Sequence, residues 1–129
     1  MEEVKREIKE WRATLYQISM FEGVSEKYRK RIEGLKHIKT RNAEREIARL
    51  EGICDSFRLK ELRERESAFR ERYQPYIDKL APVEGLIIKD FVSGASQSEI
   101  SQDLGYSEVG IRKRLDRIYK KLASALKTE

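Results

Sequence analysis

The sequence predicts an all-α protein in two parts: a charged helical arm over residues 1–80, read as a hairpin or coiled coil, and a trihelical domain over 81–129. Three observations predict it. Charged residues make up 40% of the 129 and hydrophobic ones 39%, with only two Pro, a balance that suits solvated helices better than a sheet. Apolar residues recur at spacings of three and four through most of the chain. The stretch from Ser96 to Leu122 reads SQSEISQDLGYSEVGIRKRLDRIYKKL, which holds two capped helical patterns with a short turn between them.

In the arm, Val4, Ile8, Trp11, Leu15 and Ile18 repeat at 4, 3, 4 and 3, a heptad seam that predicts a helix over about 3–20. Glu2 and Glu3 stand at the positive end of its dipole. Trp11 lies on the seam, which makes it core rather than a platform for a ligand. Glu22-Gly23 is expected to break the helix, and Ser25 to cap a second one over about 25–36 with Tyr28, Ile32 and Leu35 on its apolar side. After a loop at His37–Asn42, a long helix is expected over about 42–80. Its first stripe is Ala43, Ile47, Leu50, Cys54 and Phe57. Its second is Leu62, Phe69, Tyr73, Tyr76 and Leu80, displaced in phase near Arg58–Glu61, with Glu66 at a seam position where packing should be loose. Gln74-Pro75 is expected to kink or interrupt it. From Lys27 to Arg49 there are nine Lys or Arg against three Glu. Two readings of that run stand, a solvated helix face and an auxiliary phosphate-contacting surface.

The second part begins with Pro82 at the first position of a helix. Val83, Leu86, Ile87, Ile88 and Phe91 are apolar nearly all round, which predicts a buried central helix ended by Ser93-Gly94. Ser96 and Glu99 form a capping box, Ile100 and Leu104 share one face, and Gly105 suits a left-handed C-cap. Ser107 caps the next helix, whose stripe is Ile111, Leu115, Ile118 and Leu122. Its other faces carry Arg112, Lys113, Arg114, Arg117, Lys120 and Lys121 against only Glu108 and Asp116. A short capped helix, a Gly turn and a cationic amphipathic helix form the pattern of a DNA-binding helix-turn-helix.

That pattern names candidate residues. Glu108, Val109, Arg112 and Lys113 fall at the exposed N-terminal end of the recognition helix, where base edges are read. Arg112 is the candidate for a bidentate contact to guanine. Glu108 suits either cytosine N4 or the helix dipole. Arg114, Arg117, Lys120 and Lys121 are candidates for phosphate, joined by Ser96 and Gln97 at the start of the preceding helix. Successive residues turn by about 100°, so not all four cations can face one duplex.

The segment EISQDLGYSEVGIRKRLDRIYKKL resembles region 4 of bacterial sigma factors. More closely, it looks like the small phage-encoded, sigma-like regulators of the ArpU/RinA late-transcription type. The resemblance rests on Glu99, Ile100, Leu104, Gly105, Ser107, Ile111, Leu115 and Leu122. Two positions depart from it: Ser101 replaces a small apolar residue, and Gly110 stands where sigma factors often place a side chain on DNA. The resemblance implies a transcriptional regulator of phage or mobile-element origin that binds double-stranded promoter DNA, with RNA polymerase as a further partner.

Bulk properties bound the alternatives. A net charge of +5 favours an acidic partner, either nucleic acid or an acidic protein surface. Cys54 is the only cysteine, so no internal disulfide forms, and its place on an apolar stripe predicts a reduced core thiol. His37 is the only histidine and has no cluster of ligands beside it, so neither a metal nor another cofactor is expected. No catalytic constellation is present, which argues against an enzyme. No apolar run reaches the length of a membrane span and MEEVKREIKEW has no signal core, so a soluble, cytoplasmic protein is expected. The arm's seams exceed what one short hairpin covers, which points to a homodimer through the N-terminal helices. Two other roles fit the same pattern: a small terminase-like DNA-packaging subunit, and a coiled-coil adaptor that holds a protein partner.

Overall fold

The computed structural model describes residues 1–128. Among them are six helices and no strand: α1 (Glu2–Leu35), α2 (Arg41–Ser56), α3 (Leu59–Ile77), α4 (Pro82–Val92), α5 (Gln97–Leu104) and α6 (Glu108–Lys127). No helix is long and apolar enough to cross a membrane.

Three expectations about the arm are corrected. The helices expected over 3–20 and 25–36 are one, because Gly23 does not break α1. A glycine inside a helix costs about 1 kcal/mol relative to Ala. The half-buried Phe21 and Val24 on either side keep the apolar stripe running through it, and Phe21 stacks on Phe57 with ring centroids 4.4 Å apart. Ser25 therefore caps nothing, and its hydroxyl is buried without a partner. Conversely, the single helix expected over 42–80 is two. The phase shift is a true break: the N–H groups of Phe57 and Arg58 close tight turns onto Cys54 O and Asp55 O, and Arg58 takes a left-handed φ of 52°. Pro75 does not interrupt α3, which runs on to Ile77. It sits exposed in the last turn while Tyr73 and Ile77 around it are buried, so only one backbone bond is lost.

The chain forms two compact units. One comprises Met1–Tyr16 and the described residues from Arg65 onward, so the expected boundary at 80/81 falls inside a single core. In that core Val4, Ile8 and Trp11 of α1 join Tyr73 and Ile77 of α3 and the inner faces of α4, α5 and α6. Two polar side chains at its edge are matched, while the Tyr76 hydroxyl is buried without a partner. The Trp11 indole donates to Glu66 at 3.0 Å, so the seam position where loose packing was expected holds a partnered carboxylate, which also binds Arg70 at 3.2 Å. The buried Tyr73 hydroxyl donates to Glu7, which also pairs with Arg72 at 3.1 Å. Burial first, then the Glu7 contact, raises the Tyr73 pKa above its usual value.

The other unit, Gln17–Glu64, is an α1–α2 hairpin with the start of α3. Thr40 caps α2 by accepting from Ala43 N at 3.1 Å. Ile32, Ala43 and Leu50 are its buried apolar side chains, and Cys54 is only partly covered.

Within the first unit α4, α5 and α6 pack on one another. Gly85, Ile87, Ile88, Phe91 and Val92 of α4 are buried. The helix is not covered all round as expected, since Val83 and Leu86 are 42% and 47% exposed. Leu86 lies on the side away from the buried Ile87–Ile88 pair, and Val83, one turn before Ile87, stands exposed in the first turn of α4.

Candidate nucleic-acid interface

The local signals at residues 93–110 produce the expected backbone. Gly94 turns left-handed at φ 112° and lets Ala95 N reach back to Asp90 O at 3.0 Å, closing α4. The capping box forms in both directions: Glu99 N donates to Ser96 Oγ at 3.1 Å, and Ser96 N to Glu99 Oε1 at 3.3 Å. Gly105 ends α5 at φ 75°, and Ser107 caps α6 by accepting from Gly110 N at 3.0 Å.

The two positions that depart from the sigma-like pattern have local tasks. Ser101 donates its hydroxyl to Tyr106 O at 2.6 Å and so ties α5 to the turn. A Cβ on Gly110 would lie 3.1 Å from Ser107 Oγ, closer than most side-chain contacts, so glycine leaves room for the cap.

Helix α6 buries Ile111, Leu115, Ile118, Tyr119 and Leu122 and turns its cations outward. Val109, Lys113, Arg117 and Lys120 fall within about 80° of arc on the side opposite that stripe. All four are exposed, Val109 at 49%, and the three cations have no ion-pair partner among the described residues. Glu108 and Arg112 are both exposed. Of the four predicted base-reading residues, Val109 and Lys113 thus stand on the outer ridge, Arg112 on its flank, and Glu108 a turn earlier, on the side of the buried stripe at the exposed start of the helix.

Two predicted phosphate residues are otherwise engaged. Lys121 Nζ lies 2.7 Å from both carboxylate oxygens of Glu84, whose side chain is only 13% exposed, and so fastens α6 to α4. The Arg114 guanidinium lies over the Tyr106 ring at 4.1 Å from its centroid. Ser96 and Gln97 are half-buried at the start of α5. The Ser96 hydroxyl accepts within its cap and keeps its own proton free to donate.

One residue that sequence reasoning missed organises this end of the site. Arg12 of α1 donates from Nε to Phe91 O at 2.9 Å, and from its terminal nitrogen to Gly94 O at 3.0 Å and Ala95 O at 3.3 Å. Its guanidinium also covers the Phe91 ring at 4.8 Å. The cation meets the negative end of α4 and fixes the three-residue link to Ser96. Tyr119, buried in the core, has its pKa pushed up to about 12, first by burial and then by Asp116, with Arg12 opposing. Nothing in the local sequence marks Arg12, because its acceptors lie about eighty residues away and are backbone atoms.

No group of three or more His, Cys, Asp or Glu side chains among the described residues is placed to hold a metal ion. No protein-family model, curated protein or solved structure matches the chain.

Proposed function

We propose that the chain is a sequence-specific regulator of transcription, in which α5, the Gly105–Ser107 turn and α6 act as a helix-turn-helix that lays α6 in the major groove of double-stranded DNA. The observation that carries this reading is the outer ridge of α6. Lys113, Arg117 and Lys120 stand exposed and unpaired among the described residues, on a helix whose other side is fully committed to the core. Lys113, Val109, the flanking Arg112 and Glu108 at the helix start reach for base edges, and Val109 suits a thymine methyl. Arg117 and Lys120, with the start of α5 at Ser96 and Gln97, hold the phosphates.

Self-association is not needed to cover the first seam, since Val4, Ile8 and Trp11 are buried within one chain. The regulator reading therefore takes one or two copies per site. A packaging subunit would instead form a ring of many, which sedimentation of the DNA complex distinguishes.

The test is selection from random duplexes followed by binding to the selected site. Arg112→Ala and Lys113→Ala should each relax preference at a single base pair, by about 1–3 kcal/mol. Arg117→Ala should weaken all sequences alike and lower the salt slope by about 0.9. Failure to enrich any sequence, or a slope near zero for the full chain, sinks the reading.

A further inference from the structure

The α1–α2 hairpin carries a second concentration of positive charge that the fold does not use. Of its nine cations between 27 and 49, Arg29 pairs with Glu26 and Lys36 with Glu33, while Arg31 and Arg49 share the single carboxylate of Glu46 at 3.6 and 2.7 Å. Those contacts leave Lys27, Lys30, Lys39, Arg41 and Arg45 exposed and without an ion-pair partner among the described residues.

Geometry gathers several of these onto one face. Arg41, Arg45 and Arg49 are four residues apart, so they follow one another up successive turns on the side of α2 opposite the buried Ala43 and Leu50. The uncharged members of that face, Ala48 and Gly52, are small and exposed, and nothing lies within 4 Å of where a Gly52 side chain would be. No bulk therefore stands between the guanidiniums and an approaching chain. Glu46 extends the ridge across to α1 by holding Arg31 beside Arg49, and Lys27 is one turn from Arg31. One carboxylate for two guanidiniums leaves N–H donors of both free. The two arginines in turn hold the Glu46 carboxyl below its usual range, Arg49 by its hydrogen bond foremost. Arg41, moreover, opens α2 at the positive end of the helix dipole, where folding alone disfavours a cation.

We propose that this ridge is a second contact for the phosphate backbone of duplex DNA, with Lys27, Arg31, Arg41, Arg45 and Arg49 as its cations. The choice of DNA as the polyanion rests on the reading of α6. The contact itself is sequence-independent: spaced guanidiniums over a low surface neutralise phosphates and release counterions without meeting a base.

The experiment compares the full chain with three variants on a long random-sequence duplex, following affinity by fluorescence anisotropy across a range of salt. The hairpin variant is Lys27→Gln/Arg41→Gln/Arg45→Gln. Its three side chains are exposed and bond to nothing, so the fold persists, as a thermal melt verifies. A charge-keeping Arg41→Lys/Arg45→Lys variant controls for shape. The α6 variant is Arg117→Gln/Lys120→Gln. Each lost phosphate contact lowers the salt slope by about 0.9. The expected losses are therefore about 2.7 for the hairpin variant and about 1.8 for the α6 variant, with the charge-keeping control near the unaltered chain. A hairpin variant that keeps the full slope and affinity while the α6 variant loses its share overturns the ridge and leaves the function standing. A loss confined to the hairpin variant supports the ridge and overturns the α6 reading. Binding by none of the four proteins overturns both.

Discussion

The cations of α6 stand on a helix whose opposite side buries Ile111, Leu115, Ile118, Tyr119 and Leu122, within a core of fifteen buried apolar residues. Those of the α1–α2 hairpin stand above Ile32, Ala43 and Leu50. The turns differ in the same sense. Where the first unit needs left-handed backbone it has Gly94 and Gly105, at φ 112° and 75°; where the second needs it, at the α2–α3 joint, it has Arg58 at φ 52°. Under the proposed function, the contrast fits a base-reading surface that has to be held rigidly beside a phosphate-contacting one that tolerates a looser support. Base recognition depends on hydrogen-bond geometry, and phosphate attraction falls off slowly with distance.

Truncating the two interiors tests the contrast most severely. Ile118→Ala and Leu50→Ala should each cost about 2–5 kcal/mol where the cavity cannot collapse. Native-state hydrogen exchange should then show the effects separately. Ile118→Ala should speed exchange in α4, α5 and α6, Leu50→Ala in α2, and in the unaltered protein α2 should open at the lower free energy. Acceleration of both regions by either substitution would break the comparison.

Arg12→Gln comes next. Losing charge-assisted bonds to three carbonyl oxygens should cost about 1.5–3 kcal/mol in chemical denaturation. Amide shifts in NMR should move chiefly at residues 93–97, the segment that the guanidinium holds. Duplex binding should weaken with the salt slope unchanged, because Arg12 faces carbonyls rather than phosphates. A reduced slope would make Arg12 a direct contact instead.

The left-handed turns offer a finer test of opposite signs. Gly105→Ala should destabilise by about 1–2 kcal/mol, the cost of a Cβ in that conformation. Arg58→Gly should stabilise by about 0.5–1 kcal/mol, since relief of that strain exceeds the added entropy of the unfolded chain. Denaturant midpoints of both variants check this, and a destabilised Arg58→Gly would show that the arginine side chain supports the joint.

The smallest effect at neutral pH becomes visible only in alkali. Tyr119 ionises at about 12 in the fold, above the value near 10 of an unfolded chain. The stability this represents is whole below about pH 10 and is lost as pH rises towards 12, where the unfolded state gives up the proton first. Tyr119→Phe should flatten that part of the curve while Tyr73, also raised, keeps the remainder. No tyrosine of residues 17–64 is buried, so the alkaline loss should appear in the exchange of α6 before that of α2.

By itself, the sequence determined the elements whose signals are local. The Ser96–Glu99 box, the Ser107 cap and the Gly94 and Gly105 turns all form within a few residues of one another, the stripe of α6 is buried as its spacing demands, and that of α1 is buried at Val4, Ile8 and Trp11 and only partly at Leu15 and Ile18. Tertiary structure decided whatever pitted a local signal against burial. Gly23 carries a penalty of about 1 kcal/mol, less than the roughly 1.5–3 kcal/mol that covering one large apolar side chain contributes, so α1 passes through it. No residue at Phe57–Arg58 marks a break, yet the shift of phase between two apolar stripes makes one. The grip of Arg12 on the α4–α5 link, the Lys121–Glu84 pair and the exposure of Val83 and Leu86 depend on partners 37 to 83 residues distant or on which face a neighbour covers. Spacing along a chain records which residues share a face of one helix, and only packing between helices decides what that face meets.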